Sequence, residues 1–273
     1  MIFLATTSGP GVSIVAEPIF HIGPIVVSNS NMLGLLGTII AISLLIFTAR
    51  RVRSGKSNRL STAIFWLFEI LLDTCEEVLG DREKARKLAP LAITIFFVVM
   101  LNNWMGILPF VGPLTYHGLP LFRGLAADLN FTGVLAVITM ATAQIWAIRN
   151  YGFRGNIGRY LKNPFTKPMG AFEGILELVA EFSRLLALAM RLFGNVFGGE
   201  VLLLVMSYIT SFASPLVLPV FMLFELFIGA IQAYVFFMLT IVFVSLGTGP
   251  AHGAEAEAKD VPEGASNQVA ATG

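Results

Sequence analysis

The sequence predicts an all-α membrane protein, with five membrane-spanning helices plus one interfacial amphipathic helix, the last two spans long and steeply tilted. Three observations carry that prediction. Charged residues make up 13% of the 273-residue chain and apolar residues 56%, whereas a typical soluble domain is about 25% charged. Five apolar stretches are long enough to cross a bilayer core of about 30 Å. Immediately after the first and the third of them the chain carries a run of basic residues with no acid among them, as cytoplasmic loops do. Eighteen basic and 17 acidic residues leave a net charge of +1, which excludes nucleic-acid binding by bulk charge. One cysteine, Cys75, allows neither an intrachain disulfide nor a cysteine metal cluster. It reads as packing.

Residues 1–31 hold Pro10, Pro18 and Pro24 and read as an irregular external arm. No Lys/Arg-rich region precedes the first apolar run, so a cleaved signal peptide is not expected. The first span runs over 32–49. Arg50, Arg51, Arg53, Lys56 and Arg59 follow it and place that loop in the cytoplasm, with the N-terminus outside. Over 60–80, Ile64, Leu67, Phe68, Leu71 and Leu72 recur at helical spacing, while Glu69, Asp73, Glu76 and Glu77 fall mostly elsewhere. This is the interfacial helix, packed on protein or lying along the membrane face. Residues 81–87 alternate in charge and read as a wetted turn.

The second span covers 88–109, interrupted by Asn102 and Asn103 near its end. An external loop rich in glycine and proline follows over 106–120. The third span covers 129–148. Arg149, Arg154, Arg159, Lys162 and Lys167 then return the chain to the cytoplasm. Residues 169–210 stay periodic without a proline, and Ala171 to Met206 alone would be about 54 Å long as a helix. Leu216 to Leu246 would be about 46 Å. Two overlong antiparallel helices follow from length alone. They must tilt, bend or extend beyond the lipid. From 251 to 273 small and acidic residues read as a disordered cytoplasmic tail. The organisation is therefore an arm over 1–31, a transmembrane ion-channel domain over 32–250, and a tail over 251–273.

Charges inside the spans point to function, because each is costly there and needs a partner, water or a task. The fifth span carries Glu173, Glu177, Glu181, Arg184, Arg191 and Glu200. Glu181 and Arg184, at i,i+3, can pair on one helix face. Arg191 has no acid within four residues, and its guanidinium keeps its charge at any relevant pH. Its counter-charge must come from another helix, another subunit or a water-filled cavity. Glu200 lies about 13.5 Å further along the axis and roughly on the opposite side of the helix. Asn195 shares the arginine's face. On the last helix Glu225 and Gln232 share a face about 10.5 Å apart. Glu225, flanked by Phe224 and Leu226, is a candidate proton relay. A carboxylate simply hydrogen-bonded to a neighbouring helix is the plainer reading. No metal-binding or nucleotide-binding motif stands in the chain.

Arg191-Leu192-Phe193-Gly194-Asn195 followed by Gly199-Glu200, and Gln232-Ala233-Tyr234-Val235-Phe236 leading into Leu239-Thr240-Ile241, resemble the a subunit of F-type ATP synthases. Asn102-Asn103, Gly106 and Pro109, with Asp128-Leu129-Asn130 and Thr132, extend the likeness through most of 60–246. The resemblance implies that Arg191 separates two aqueous half-channels facing a rotating proteolipid ring. It implies polar channel positions at Glu177, Asn195, Glu200, Glu225 and Gln232, with Asp128 near the outer loop. It implies a non-catalytic subunit of an enzyme complex, without cofactor, metal or ATP site of its own. Its partners would be the proteolipid c-ring, the peripheral-stalk b subunits, the remainder of the complex and membrane lipid. Its place would be the bacterial inner membrane, with the C-terminus cytoplasmic. The chain departs from the family in two places. Ala187, Leu188 and Ala189 stand where many members carry serine and glycine, and Glu225 stands where some carry histidine. A secondary transporter with buried Glu/Arg gating pairs, and a structural membrane scaffold, are the alternatives. The first requires pseudo-symmetric repeats, of which the sequence shows none, and the second leaves Arg191 unexplained.

Overall fold

A computed structural model describes residues 18–22, 25–55, 58–108, 111, 115–116, 119–120, 122–160 and 168–248. The arm assigned to 1–31 lies largely outside the described residues, and the tail assigned to 251–273 lies wholly outside them. Strands β1 (Pro18–Ile22) and β2 (Ile25–Ser28) pair antiparallel and lead directly into α1 (Asn29–Arg53). Arg50, Arg51 and Arg53 occupy the last turn of α1, where cations complement the helix dipole.

Helix α2 (Arg59–Leu79) is the amphipathic one. Asn58 and Ser61 form a reciprocal capping box at its start, with the Asn58 N–H donating to Ser61 Oγ at 2.8 Å. Ile64, Leu71 and Cys75 are its buried apolar residues, and they join the common core. Burial, with the neighbouring charge of Glu76 adding to it, pushes the Cys75 thiol up to about 12. The thiol is therefore an inert packing group.

Helix α3 (Arg82–Gly106) is the central one, and its inner face meets α6 (Ser214–Thr248). Phe96 packs edge-on against Phe237 of α6 at 6.2 Å, within a cluster that includes Phe97, Phe236 and Ile241. Short paired strands β3 (Thr115–Tyr116) and β4 (Leu119–Pro120), then a 3-10 turn at Leu125–Ala127, connect α3 to α4 (Leu129–Tyr160). Helix α5 (Pro168–Thr210) has 43 residues and α6 has 35, or about 64 and about 52 Å of helix. Both exceed the bilayer core, as their unbroken sequence patterns require. A 3-10 turn at Ser211–Ala213 reverses the chain between them. The all-α membrane fold with five long apolar helices and one amphipathic helix is therefore what this sequence forms.

The structure corrects four details. Residues 82–87 are the first turns of α3 rather than a free turn, because Asp81 caps them: its Oδ1 accepts from Glu83 N at 2.9 Å. Helix α1 starts at Asn29, three residues before the apolar run, and β1 and β2 occupy part of the expected arm. The helical stretch of the third span continues to Tyr160, through residues whose charges suggested a loop. It bends at Gly152, whose φ of 72° suits only a residue without a Cβ. Glu181 does not pair with Arg184, for a reason given below.

Candidate ion-transfer site

Helix α5 divides its polar residues between two sides. An exposed stripe runs Ala187, Met190, Arg191, Gly194, Gly198, Leu202 and Val205. Arg191 is the one charged member of that stripe. No hydrogen bond or ion pair joins it to another described residue. The opposite side of α5 turns inward. There Glu200, joined by Asn195 from the flank of the helix one turn beyond Arg191, lines a cavity with Asn103, Gly106 and Ile107 of the α3 end and Glu225 and Gly229 of α6. The cavity holds about 10 Å³ of free space, which is room for about one water molecule.

Two contacts from α3 fix α6 around Glu225. Trp104 Nε1 donates to the Leu226 carbonyl at 3.1 Å, and Asn103 Nδ2 reaches the Gly229 carbonyl at 3.4 Å. Each carboxylate is seated over a glycine. A Cβ on Gly199 would collide with the Glu225 carboxylate, coming within 2.6 Å of Cδ, and one on Gly124 would come within 2.9 Å of Glu200 Oε1. A side chain at either place would push a carboxylate aside. Glu200 is held by Arg123 Nε at 3.3 Å on Oε2 and by the Gly124 N–H at 3.1 Å on Oε1. Glu225 Oε2 and Asn103 Oδ1 are buried and meet no donor among the described residues. Gln232, two turns along α6 from Glu225, is buried with its Nε2 likewise unmatched among them. A buried polar atom without a partner costs on the order of 1–3 kcal/mol, and the adjoining cavity has room for a water that could meet these atoms.

The structure thus brings Asn195, Glu200 and Glu225 together, places Gln232 further along the same helix, and turns Arg191 to the outside of the bundle. Asp128 has a different position. Its Oδ1 caps α4 through Asn130 N at 2.9 Å, and its Oδ2 accepts from Ser30 Oγ of α1 at 3.1 Å. Glu177 is half-buried on α5, one turn before Glu181. Glu181 belongs to a second polar region. Its Oε2 accepts from Gln144 Nε2 at 2.6 Å and its Oε1 from the Tyr160 hydroxyl, while Asn156 Nδ2 donates to Gln144 Oε1 at 3.0 Å. With both oxygens engaged by α4, Glu181 leaves Arg184 to lie over the Phe243 ring at 6.0 Å. Along the α5 axis Arg191 falls between the two regions, about 15 Å from Glu181 and about 13.5 Å from Glu200.

Two elements of the site lay outside the sequence reading. Arg123 was not singled out, although it is a lone cation after Leu119-Pro120-Leu121-Phe122 with no acid before Asp128. That isolation is the same signal that marked Arg191. The partners of Glu181 come from α4 residues 37 and 21 positions away, beyond the reach of local spacing.

The profile of the family described as ATP synthase A chain matches residues 31–245. The ATP synthase subunit a of Enterococcus hirae is 34% identical over 242 residues, covering 83% of this chain and 94% of the relative. That of Enterococcus faecalis is 30% identical over 234 residues (83% and 95%), and that of Acidothermus cellulolyticus 30% over 249 residues (89% and 86%). The chain belongs to the ATP synthase A chain family. Membership makes it a membrane subunit of an F-type ATP synthase, its proton-translocating stator subunit, with the rest of that complex as its partner. Neither a free-standing transporter nor a scaffold is favoured beside that match. The family match spans α1 to α6, so it includes both polar regions and the arginine between them.

Proposed function

We propose that Arg191 faces the rotating proteolipid c-ring and divides two aqueous half-channels, with Asn195, Glu200, Glu225 and Gln232 on one of them. The single observation that carries this reading is Arg191, exposed and unpaired among the described residues, in a stripe otherwise made of Ala, Met, Gly, Leu and Val. A permanent cation on an apolar helix face is not stable against lipid. An acidic group on an adjoining subunit supplies what it lacks. Around it Gly194 and Gly198 are open, with nothing within 4 Å of where a Cβ would stand, so another helix can approach closely. A ring carboxylate, neutral while it faces lipid, ionises opposite Arg191 and gives its proton to one path. It reloads from the other. Moving one charge through 100 mV yields about 2.3 kcal/mol, and the cation keeps protons from passing straight through without turning the ring.

The Glu200–Glu225 cavity supports one path, reached from the end of the bundle that carries β3, β4 and the 3-10 turn. Glu177, nearer the start of α5, belongs to the other. Asp128 serves this reading as the cap that seats α4 beside that first path, bonded to α1. The basic loops support an N-terminus outside the bacterial inner membrane, with residues 50–87, residues 149–168 and the tail on its cytoplasmic side. The peripheral-stalk b subunits are further partners in this reading.

Disulfide cross-linking tests the ring contact. A cysteine at Met190, which is 52% exposed beside Arg191, should cross-link to a cysteine next to the ring carboxylate in the assembled complex. One at Leu188, which is 2% exposed, should not. Equal yields at the two sites would overturn the proposed face. For orientation, single cysteines at Ser57 and Thr115 should label from opposite sides of oriented vesicles, and Cys75 adds no background because its thiol stays protonated. Labelling of both from one side would overturn the five-span topology.

A further inference from the structure

We propose that Arg123 is a positioning residue for proton transfer, acting through Glu200; this rests on the reading that Glu200 lines a proton path. Arg123 stands in the short irregular segment before the 3-10 turn, yet it is 9% exposed. A buried guanidinium is costly unless it is paired and hydrogen-bonded. Its Nε bonds Glu200 Oε2 at 3.3 Å, and its guanidinium carbon lies 5.9 Å from the centre of the Phe197 ring. Phe197 and Glu200 are three residues apart on α5, so one helix face offers the arginine both a ring and a carboxylate. Phe197 is in turn stacked on Phe193 at 5.4 Å, which steadies the surface the guanidinium meets.

The next residue completes the clasp. The Gly124 N–H donates to the other carboxylate oxygen at 3.1 Å, so consecutive residues hold both oxygens from one side. Each carboxylate oxygen accepts more than one donor. The clasp therefore orients Glu200 without saturating it, and Glu200 still lines the cavity it shares with Glu225. Arg123 Nη2 is buried and meets no acceptor among the described residues, so the guanidinium retains a donor beyond those the protein uses. A residue serving only to anchor the segment to α5 needs neither a carboxylate at a cavity wall nor an unused buried donor.

The test measures passive proton flux in vesicles carrying the complete complex, with subunit assembly followed by quantitative blot. Arg123→Gln should lower flux about ten-fold at normal assembly, the loss expected from one charge-assisted hydrogen bond. Arg123→Lys, which keeps the charge and part of the reach, should recover most of it. In a Glu200→Gln background, adding Arg123→Gln should change flux by less than about two-fold, because groups acting as one unit are not additive. Gly124→Ala provides an independent arm. It keeps Arg123 but crowds the Glu200 carboxylate, and it should lower flux in an assembled complex. Undiminished flux in both Arg123→Gln and Gly124→Ala would overturn the proposal, as would fully independent effects of Arg123 and Glu200. Loss of assembly in both variants would reduce the pair to a loop anchor and overturn it too. Undiminished flux in Glu200→Gln alone would instead overturn the reading of Glu200 on which the proposal rests.

Discussion

Near the 3-10 turn of the bundle, Glu200 and Glu225 share a cavity in which carboxylate and amide oxygens stand without donors; near the bend of α4, Glu181 has a donor on each oxygen. Both regions lie on α5, on either side of Arg191, and both contain acids in apolar surroundings. They differ in what surrounds the acid. Glu200 and Glu225 rest on glycines, beside free space of about 10 Å³. Glu181 rests on Gln144 and Tyr160, side chains of α4 that occupy each of its oxygens. An acid beside room for water, paired with a second acid that keeps an oxygen without a donor among the described residues, as Glu225 does, can pass a proton on. One held on both oxygens by side chains of a single neighbouring helix, as Glu181 is by α4, fixes two helices against each other. A charge in a span is thus a first sign of function, and its partners decide which function.

Four substitutions break or sharpen that contrast. Glu225→Gln removes the titrating group from the open region and should lower ion flux about a hundred-fold, the low end for a positioned proton-transfer group. Flux and assembly measured in the same vesicles check this, and undiminished flux would make Glu225 a structural residue. Gly199→Ala leaves every charge in place but crowds the Glu225 carboxylate. Overpacking of this kind costs about 1–3 kcal/mol, and flux should fall about five-fold with the subunit still assembled. Tyr160→Phe removes one donor from Glu181 and should lower stability by about 1 kcal/mol, read as a lower thermal aggregation midpoint. Flux should stay within about two-fold. A larger loss of flux would place the Glu181 region on the proton path and erase the contrast. Asp81→Ala removes the α3 cap, whose hydrogen bonds go to Glu83 and Lys84 and to neither region, at a cost of about 1 kcal/mol, with flux unchanged.

Much of this was legible from residue order. The apolar runs mark the five spans, since span length follows from bilayer thickness, and the overlong α5 and α6 follow from the absence of any break between 169 and 210. Arg191 announced itself by having no acid one turn away. Glu225 and Gln232 shared a face by spacing alone. What was not legible depends on the approach of distant segments. Arg123 meets Glu200 across 77 positions, and the Gln144–Tyr160–Glu181 cluster needs the bend at Gly152 to bring the end of α4 back towards its own Gln144. Asp128 carried family resemblance as a polar outer residue, whereas its hydrogen bonds are those of a helix cap tied to α1. Residues 149–160 looked like a loop because basic charge signals a cytoplasmic connection, but charge does not prevent a helix from continuing past the membrane surface.

The central claim is that Arg191 is the barrier between the two polar regions of α5 as well as the partner of a carboxylate outside the chain. Arg191→Ala tests it most directly, with ATP synthesis and passive proton flux measured separately in the same vesicles and assembly checked by quantitative blot. Synthesis should be abolished while passive flux persists or rises, since nothing then separates the two paths. Arg191→Lys should restore little synthesis, because lysine lacks the planar multi-donor fork that meets a moving carboxylate. Full synthesis in a well-assembled Arg191→Ala complex would contradict the account, and loss of synthesis only through loss of assembly would make this arginine a structural residue.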